Sequence, residues 1–394
     1  MTGAALPPGF GQPSDWAGLI VYCAGMAWDG PTGTDKQMAM RLTRNAPVLY
    51  VDPPVSVLAQ VRRRDFSQLV PDHGLRLVGD RLARLTPLAP PGVSRPGLRQ
   101  LALQSSRRSM RRAADRLGGD VEAVVVASLD DLFGACGERQ RVLYATDDYV
   151  AGAELMGVNR SWLVGREAAQ LASATTVITI SHGLAERWGE QHARIHVIPN
   201  GCDVDAYSDR VTSPVPADVR LAHPIAGLMG HISDRLDLSV LEAIADQGDS
   251  LLLIGPTTPA LDHERFGRLT ARPTVQWLGA KAYSELPSYL QQIKLGITPY
   301  VNNDFNRMSF PLKTLEYLAA GLGVVTTDLP AARWLDTDLI AIASSATSFA
   351  PTVHAALSRD EPPDIADRRR AFAARHSWDS RARDFAQILG LHVG

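Results

Sequence analysis

The stretch from Phe310 to Asp328 most constrains what this chain can fold into. It reads Phe-Pro-Leu-Lys-Thr-Leu-Glu-Tyr-Leu-Ala-Ala-Gly-Leu-Gly-Val-Val-Thr-Thr-Asp. A helix runs straight into a buried strand. Pro311 fits a first helical turn, where its missing N–H costs nothing. Leu312, Leu315, Leu318 and Ala319 recur at helical spacing and give one apolar stripe. Gly321 supplies the stop. Val324-Val325-Thr326-Thr327 reads as a strand covered on both faces, as in a parallel sheet. Lys313 and Glu316 are three residues apart, so they share a face of an otherwise apolar helix. An ordinary surface pair is the competing explanation for them. The polar segment Asn302 to Ser309 precedes the helix and is expected to be a long loop. In an open α/β sheet, loops at strand ends are where ligands bind.

The rest of the chain repeats this alternation. Leu19 to Cys23 reads as a strand and runs into a glycine-bearing loop, Ala24 to Gly30. Lys36 to Leu42 reads as a helix and Val48 to Asp52 as the next strand, which makes a βαβ unit. The Gly25 loop lacks the three-glycine dinucleotide spacing. Leu82 to Leu88 is a further strand candidate. Arg95 to Leu117 reads as a basic helix, with Leu103, Met110, Ala113, Ala114 and Leu117 on an apolar face. Arg107, Arg108, Arg111 and Arg112 form a cationic one. Such a helix suits either an anionic membrane surface or plain solvent, and the nearby run Arg62-Arg63-Arg64 adds positive charge. Strands ending at Asp130-Asp131 and at Asp147-Asp148 each deliver a carboxylate pair to one sheet edge, as site residues or as helix caps. Pro199-Asn200-Gly201 is a strong turn. Asp205 to His223 has prolines and no period, and reads as a linker. Strands at Ile225, Leu251, Val275 and Leu295 follow, alternating with helices at Leu238 to Ala245 and Tyr283 to Gln291. Ala371 to Leu389 is expected to be one helix that includes His376-Ser377-Trp378.

The chain has 394 residues, enough for two domains. Its net charge of −2 favours neither nucleic acid nor an acidic partner. The cysteines, Cys23, Cys136 and Cys202, have neither metal spacing nor a disulfide framework. The start, Met1 to Ser14, lacks the pattern of a signal peptide. No run approaches the roughly 18 apolar residues of a spanning helix. The expected location is therefore the cytoplasm, including the inner face of the membrane.

Pro-Leu-Lys-x-x-Glu-Tyr-Leu-Ala-Ala-Gly followed by Val-Val-Thr-Thr-Asp resembles the donor-binding helix of GT-B glycosyltransferases. Family 4-like enzymes (glycosyl transferases group 1) that build bacterial cell-surface polysaccharides are the nearest group. Val-Ile-Pro-Asn-Gly-x-Asp resembles the end of their N-terminal domain. Gly-x-Ile-Ser, Ile-Gly-Pro, Trp-Leu-Gly and Leu-Pro-x-Tyr-Leu resemble their nucleotide-binding domain. The similarity is good from about Thr175 to Asp328 and loose before that.

The resemblance implies an α/β GT-B fold: two doubly wound Rossmann-like domains facing across a cleft, with a last helix crossing back. The implied divisions are an acceptor-side domain at 1–204, a linker at 205–223, a nucleotide-sugar domain at 224–370 and the returning helix at 371–394. It implies hexosyl transfer from a nucleotide sugar to a glycan, lipid-linked or small-molecule hydroxyl acceptor. Retention of configuration and no bound metal are implied too, with no cofactor beyond the co-substrate. Glu316 then holds the ribose hydroxyls. Lys313, Arg307, Gly230, His231, Pro311, Leu312 and Gly25 join it around the donor. Asp130, Arg235 and Lys313 are the candidate catalytic residues. Arg107, Arg108, Arg111 and Arg112 offer a peripheral membrane contact.

Three departures from the family pattern stand out. The family's second glutamate, eight residues before the first, is replaced here by Met308. No Lys-Gly follows Arg235, so the usual diphosphate clamp is reduced. No histidine matches the one that often contacts the transferred sugar. A nucleotide-sugar epimerase of the same fold, or a catalytically silent nucleotide-sugar-binding subunit, remain alternatives.

Overall fold

In a computed structural model, the described residues are 9–30, 32–56, 74–91, 96–208 and 213–392. The run Arg62-Arg63-Arg64 lies outside them. The chain divides into two compact units. One ends at Ile198 and takes in the chain from Arg381 onward; the other is Pro199–Ser380. Each is built on its own sheet.

In the first unit the strands are β1 (Leu19–Cys23), β2 (Val48–Val51), β3 (Val55–Ser56), β4 (Arg76–Gly79), β5 (Leu82–Leu85), β6 (Leu88–Ala89), β7 (Val121–Val126), β8 (Gln140–Ala145), β9 (Thr176–Thr179) and β10 (Ile195–Val197). Eight of them form one sheet in the order β10-β9-β8-β7-β1-β2-β5-β4. Only the β4–β5 pair is antiparallel. β1 and β2 are buried along their whole length, because helices cover both faces of a parallel sheet. β3 and β6 make a separate ribbon. The expected strand from Leu82 to Leu88 therefore splits in two at Thr86-Pro87.

In the second unit β11 (Ile225–Met229), β12 (Ser250–Ile254), β13 (Val275–Trp277), β14 (Leu295–Thr298), β15 (Gly323–Thr327) and β16 (Ile340–Ala343) form an all-parallel sheet. Its order is β13-β12-β11-β14-β15-β16. That is the doubly wound order, which reverses direction between the first and fourth strands. Leu241, Ile244, Leu253, Ile297, Val325 and Val353 pack its core.

Several expectations change. The final helix is two, Ile365–Arg375 and Trp378–Ile388. The break at His376-Ser377 has a backbone cause. Cys202 N–H donates to the His376 carbonyl at 3.0 Å, and Trp378 N–H donates to the Cys202 carbonyl at 3.0 Å. A side chain at Gly201 would meet the Trp378 nitrogen at 2.8 Å, so the Pro-Asn-Gly turn is matched to this break. The segment expected as a linker begins in the helix Val204–Ser208, whose Tyr207 is buried. Five residues are too few to show a period. The same reason applies to Asn302 to Ser309, which holds the helix Asp304–Met308.

The basic helix spans Pro96–Arg116. Arg108, Arg111 and Arg112 are exposed on it. Arg107 is not part of an open cationic face. Its guanidinium donates to the carbonyls of Asp131 at 3.0 Å and Phe133 at 2.8 Å. It ties the helix to the loop after β7.

Candidate functional site

The second sheet points to one place. Where strand order reverses, neighbouring crossovers leave in opposite directions and open a crevice at the carboxyl ends of the strands. Here that place lies between the ends of β11 and β14. Gly230 and His231 leave β11. Gly230 has φ +144°, a conformation side chains rarely adopt, and its N–H donates to the Ile254 carbonyl at 2.9 Å. His231 is exposed. Beyond them Arg235 is half-buried. Its Nε donates to Asn306 Oδ1 at 2.9 Å, and its guanidinium lies 4.7 Å from the ring centre of Phe305 and 5.3 Å from that of Tyr300. A planar guanidinium stacked in this way is held in one orientation. Arg307, on the helix Asp304–Met308, is exposed, with Nε donating to Asn302 Oδ1 at 2.7 Å.

The helix Leu312–Ala319 follows, with Pro311 as its N-cap residue rather than its first turn. Pro311 is buried and Leu312 is half-buried. Gly321 ends the helix at φ +76°. Lys313 Nζ meets Glu316 Oε2 at 2.6 Å. The pair is not on open surface: the Lys313 side chain is 24% exposed and that of Glu316 only 10%. A Cβ on Gly230 would lie 3.5 Å from Lys313 Cε, so the glycine loop and the ion pair are neighbours. Buried Tyr207 stands near Glu316; burial first, and then that negative charge, push the phenol pKa well up. The structure thus brings Gly230, Lys313 and Glu316 together, with Pro311 and Leu312 opening the same helix.

Gly25 and Asp130 lie in the other unit, at the corresponding reversal between β1 and β7. Gly25 abuts the strand end: a Cβ there would meet the Ala127 carbonyl at 2.8 Å. Asp130 is half-buried and accepts from Arg99 at 3.0 Å. Its neighbours at this edge are also engaged. Asp131 faces Arg107 at 3.6 Å, and buried Asp148 accepts from Arg187 at 2.6 Å. Asp130, Asp131 and Asp148 are therefore ion-paired.

One residue here was not singled out in the sequence. Asp35 sits in the first turn of the helix Thr34–Leu42, which starts two residues before the expected Lys36. It is buried and accepts from the Gly25 N–H at 2.8 Å, the Met26 N–H at 3.2 Å and the Tyr22 hydroxyl at 3.2 Å. Thr34-Asp35 before an apolar-periodic run was the available signal. Burial pushes its pKa up to about 6, although these three hydrogen bonds pull the other way. An aspartate whose folded pKa exceeds its unfolded value of about 3.9 favours the fold fully below pH 4. That contribution is lost as pH rises to about 6. Relative to Asp35→Asn, the wild type should lose about 2–3 kcal/mol between pH 4 and pH 7, at 1.36 kcal/mol per unit. Urea unfolding of both across that range checks it; parallel profiles would refute the assignment.

Among the described residues, no three His, Cys, Asp or Glu side chains gather closely enough to hold a metal ion. No described helix is long and apolar enough to cross a membrane.

Residues 234–359, which include the Arg235, Arg307, Lys313 and Glu316 positions, match the family described as Glycosyl transferases group 1. This part of the second unit is thus similar to group 1 glycosyltransferases, and the fold is the GT-B fold. The chain is 27% identical over 204 residues to the putative teichuronic acid biosynthesis glycosyltransferase TuaH of Bacillus subtilis (strain 168). That match takes in 50% of this chain and spans about half the relative's length, 51%. The fold is similar to that of sucrose-phosphate synthase from Thermosynechococcus elongatus, with a TM-score of 0.70 at 16% identity, over 94% of this chain and 98% of that one. It is similar also to HepE of Anabaena in complex with UDP and glucose, with a TM-score of 0.63 at 15% identity, over 94% and 99% of the two chains.

Proposed function

We propose that the chain transfers a sugar from a nucleotide sugar to a hydroxyl acceptor during assembly of a polysaccharide or glycolipid. One observation carries this: the Lys313–Glu316 pair beside Gly230, at the strand-order reversal of the second sheet. A carboxylate there can accept both hydroxyls of a ribose. Lys313, Arg235 and Arg307 then stand near the diphosphate, with the unpaired N–H groups of the helix start. His231, Pro311 and Leu312 border the same space. The bond that breaks joins the anomeric carbon to the diphosphate oxygen, and negative charge grows on the leaving group. Fixed cations and N–H donors stabilise that charge without reorganising, the role a bound metal would otherwise fill. Retention of configuration is carried over from the resemblance to family 4-like enzymes. In the first unit, Gly25 is the candidate for a further donor contact and Asp130 the candidate catalytic residue.

The test is incubation with uridine, guanosine, adenosine and thymidine diphosphate sugars and a set of soluble and lipid-linked glycans. Uridine sugars come first, since HepE holds UDP on this fold. Free nucleoside diphosphate should appear in step with sugar on an acceptor, and EDTA should leave the rate unchanged. A donor isomerised without acceptor, or bound and left intact, contradicts the reading. A rate abolished by EDTA and restored by Mn²⁺ contradicts its metal-independent part.

A lipid-linked acceptor would place the protein at the inner face of the membrane, and Arg108, Arg111 and Arg112 supply the contact. Each cation near an anionic bilayer contributes about 1 kcal/mol. The chain should float with anionic liposomes at low salt, and the triple glutamine variant should not. Arg107 is left intact in that variant because it bonds carbonyls. Wild-type protein staying with the soluble fraction refutes the contact.

A further inference from the structure

Tyr317 is the neighbour of Glu316 on the helix Leu312–Ala319, but it points into the sheet and is fully buried. Its ring runs against β14 at Gly296. A Cβ at Gly296 would lie 2.3 Å from that ring, so this position has room only for glycine. The Tyr317 hydroxyl accepts a hydrogen bond from the Met229 N–H at 2.7 Å. Met229 ends β11, and Gly230 follows it. β11 and β14 pair at Ala226–Leu295 and Gly227–Gly296 and no further. The Gly230 N–H turns toward β12, where it bonds the Ile254 carbonyl. The preceding Met229 N–H faces the other side, toward β14, and the tyrosine hydroxyl stands in for a strand there. Burial pushes the phenol pKa well up, so the group that accepts from Met229 is a neutral hydroxyl.

We propose that Tyr317 is a positioning residue for the nucleotide site: its phenol wedges the ends of β11 and β14 apart and fixes the backbone at Met229-Gly230 against Lys313. This rests on the sugar-nucleotide reading above. One helix thereby does two things. Its outer face presents Lys313 and Glu316, and its inner face sets the strand end that Lys313 packs against. A shift of Gly230 would move the diphosphate relative to the cation, and displacements near 1 Å can cost about 100-fold in catalytic rate.

Tyr317→Phe keeps the ring and removes only the hydroxyl. Calorimetry with the best-bound nucleoside diphosphate should show roughly 10-fold weaker binding, about 1.4 kcal/mol. Tyr289→Phe is the control. It removes a hydroxyl bonded to Asp218 at 3.0 Å elsewhere in the same unit. Both variants should melt a few degrees lower, and only Tyr317→Phe should lose affinity. Wild-type affinity in Tyr317→Phe overturns the inference and leaves the function reading standing. An equal loss in Tyr289→Phe also overturns it, since the effect would then be general destabilisation. If the wild type binds none of the four diphosphates, the function reading falls and this inference falls with it.

Discussion

Glu316→Gln should bind the nucleotide donor roughly 10- to 1000-fold more weakly than the wild type and still fold. Hydrogen bonds to a charged acceptor contribute about 1.5–3 kcal/mol each. A ribose diol offers two of them, and each 1.4 kcal/mol is about a decade in affinity. Glutamine keeps the shape and one acceptor oxygen, so Lys313 retains a partner at a site where the native contact is 2.6 Å. Lys313→Ala should behave differently. It should weaken diphosphate binding strongly, through loss of the cation. It also leaves the nearly buried Glu316 carboxylate unpaired, which costs about 1–3 kcal/mol of stability. Bare nucleoside should therefore be lost with Glu316→Gln and mostly kept with Lys313→Ala. Calorimetry of both variants with nucleoside and diphosphate separates the roles. Equal affinities for wild type and Glu316→Gln would remove the ribose assignment.

Gly255→Ala should destabilise the second unit by about 2–5 kcal/mol and abolish nucleotide binding. Gly255 follows β12 at φ +141°, where an added side chain is strained whatever the space. A Cβ there would lie 1.8 Å from the Gly230 carbonyl oxygen. That neighbour is backbone, so it cannot swing aside as a side chain would. Overpacking alone costs about 1–3 kcal/mol, and backbone strain adds a similar amount. Any relief must move Gly230, the residue that packs on Lys313. Against a typical total of about 5–15 kcal/mol this is a large fraction. Thermal unfolding and diphosphate titration of the variant check both halves. Near-native stability with intact binding would show that the two glycine turns are not coupled.

The second unit was legible because its signals are local. The stripe Leu315, Leu318 and Ala319, the stop at Gly321 and the run Val324 to Thr327 each sit within one element, and the structure places helix and strand there. The Lys313–Glu316 contact followed from spacing alone. Their burial did not, because it depends on what packs over them, including Tyr207 from a five-residue helix without a readable period. Asp35 escaped for a related reason. Its partners Gly25, Met26 and Tyr22 come from the preceding strand and loop, and only the folded sheet shows them converging. The carboxylates at Asp131 and Asp148 stood out as site candidates. Their arginines, Arg107 and Arg187, lie 24 and 39 residues away and were invisible as partners. Tyr317 was not singled out in the sequence, and its bond to Met229 crosses 88 residues.

The central claim is that the carboxyl edge of the second sheet, around β11 and β14, holds the nucleotide. Hydrogen exchange with and without a saturating nucleoside diphosphate tests it most directly. Binding should slow exchange in two segments, Gly230 to Arg235 and Asn302 to Glu316, and leave β4 and β10 of the other unit unchanged. Protection confined to the first unit, or none in those two segments at saturation, would contradict the account.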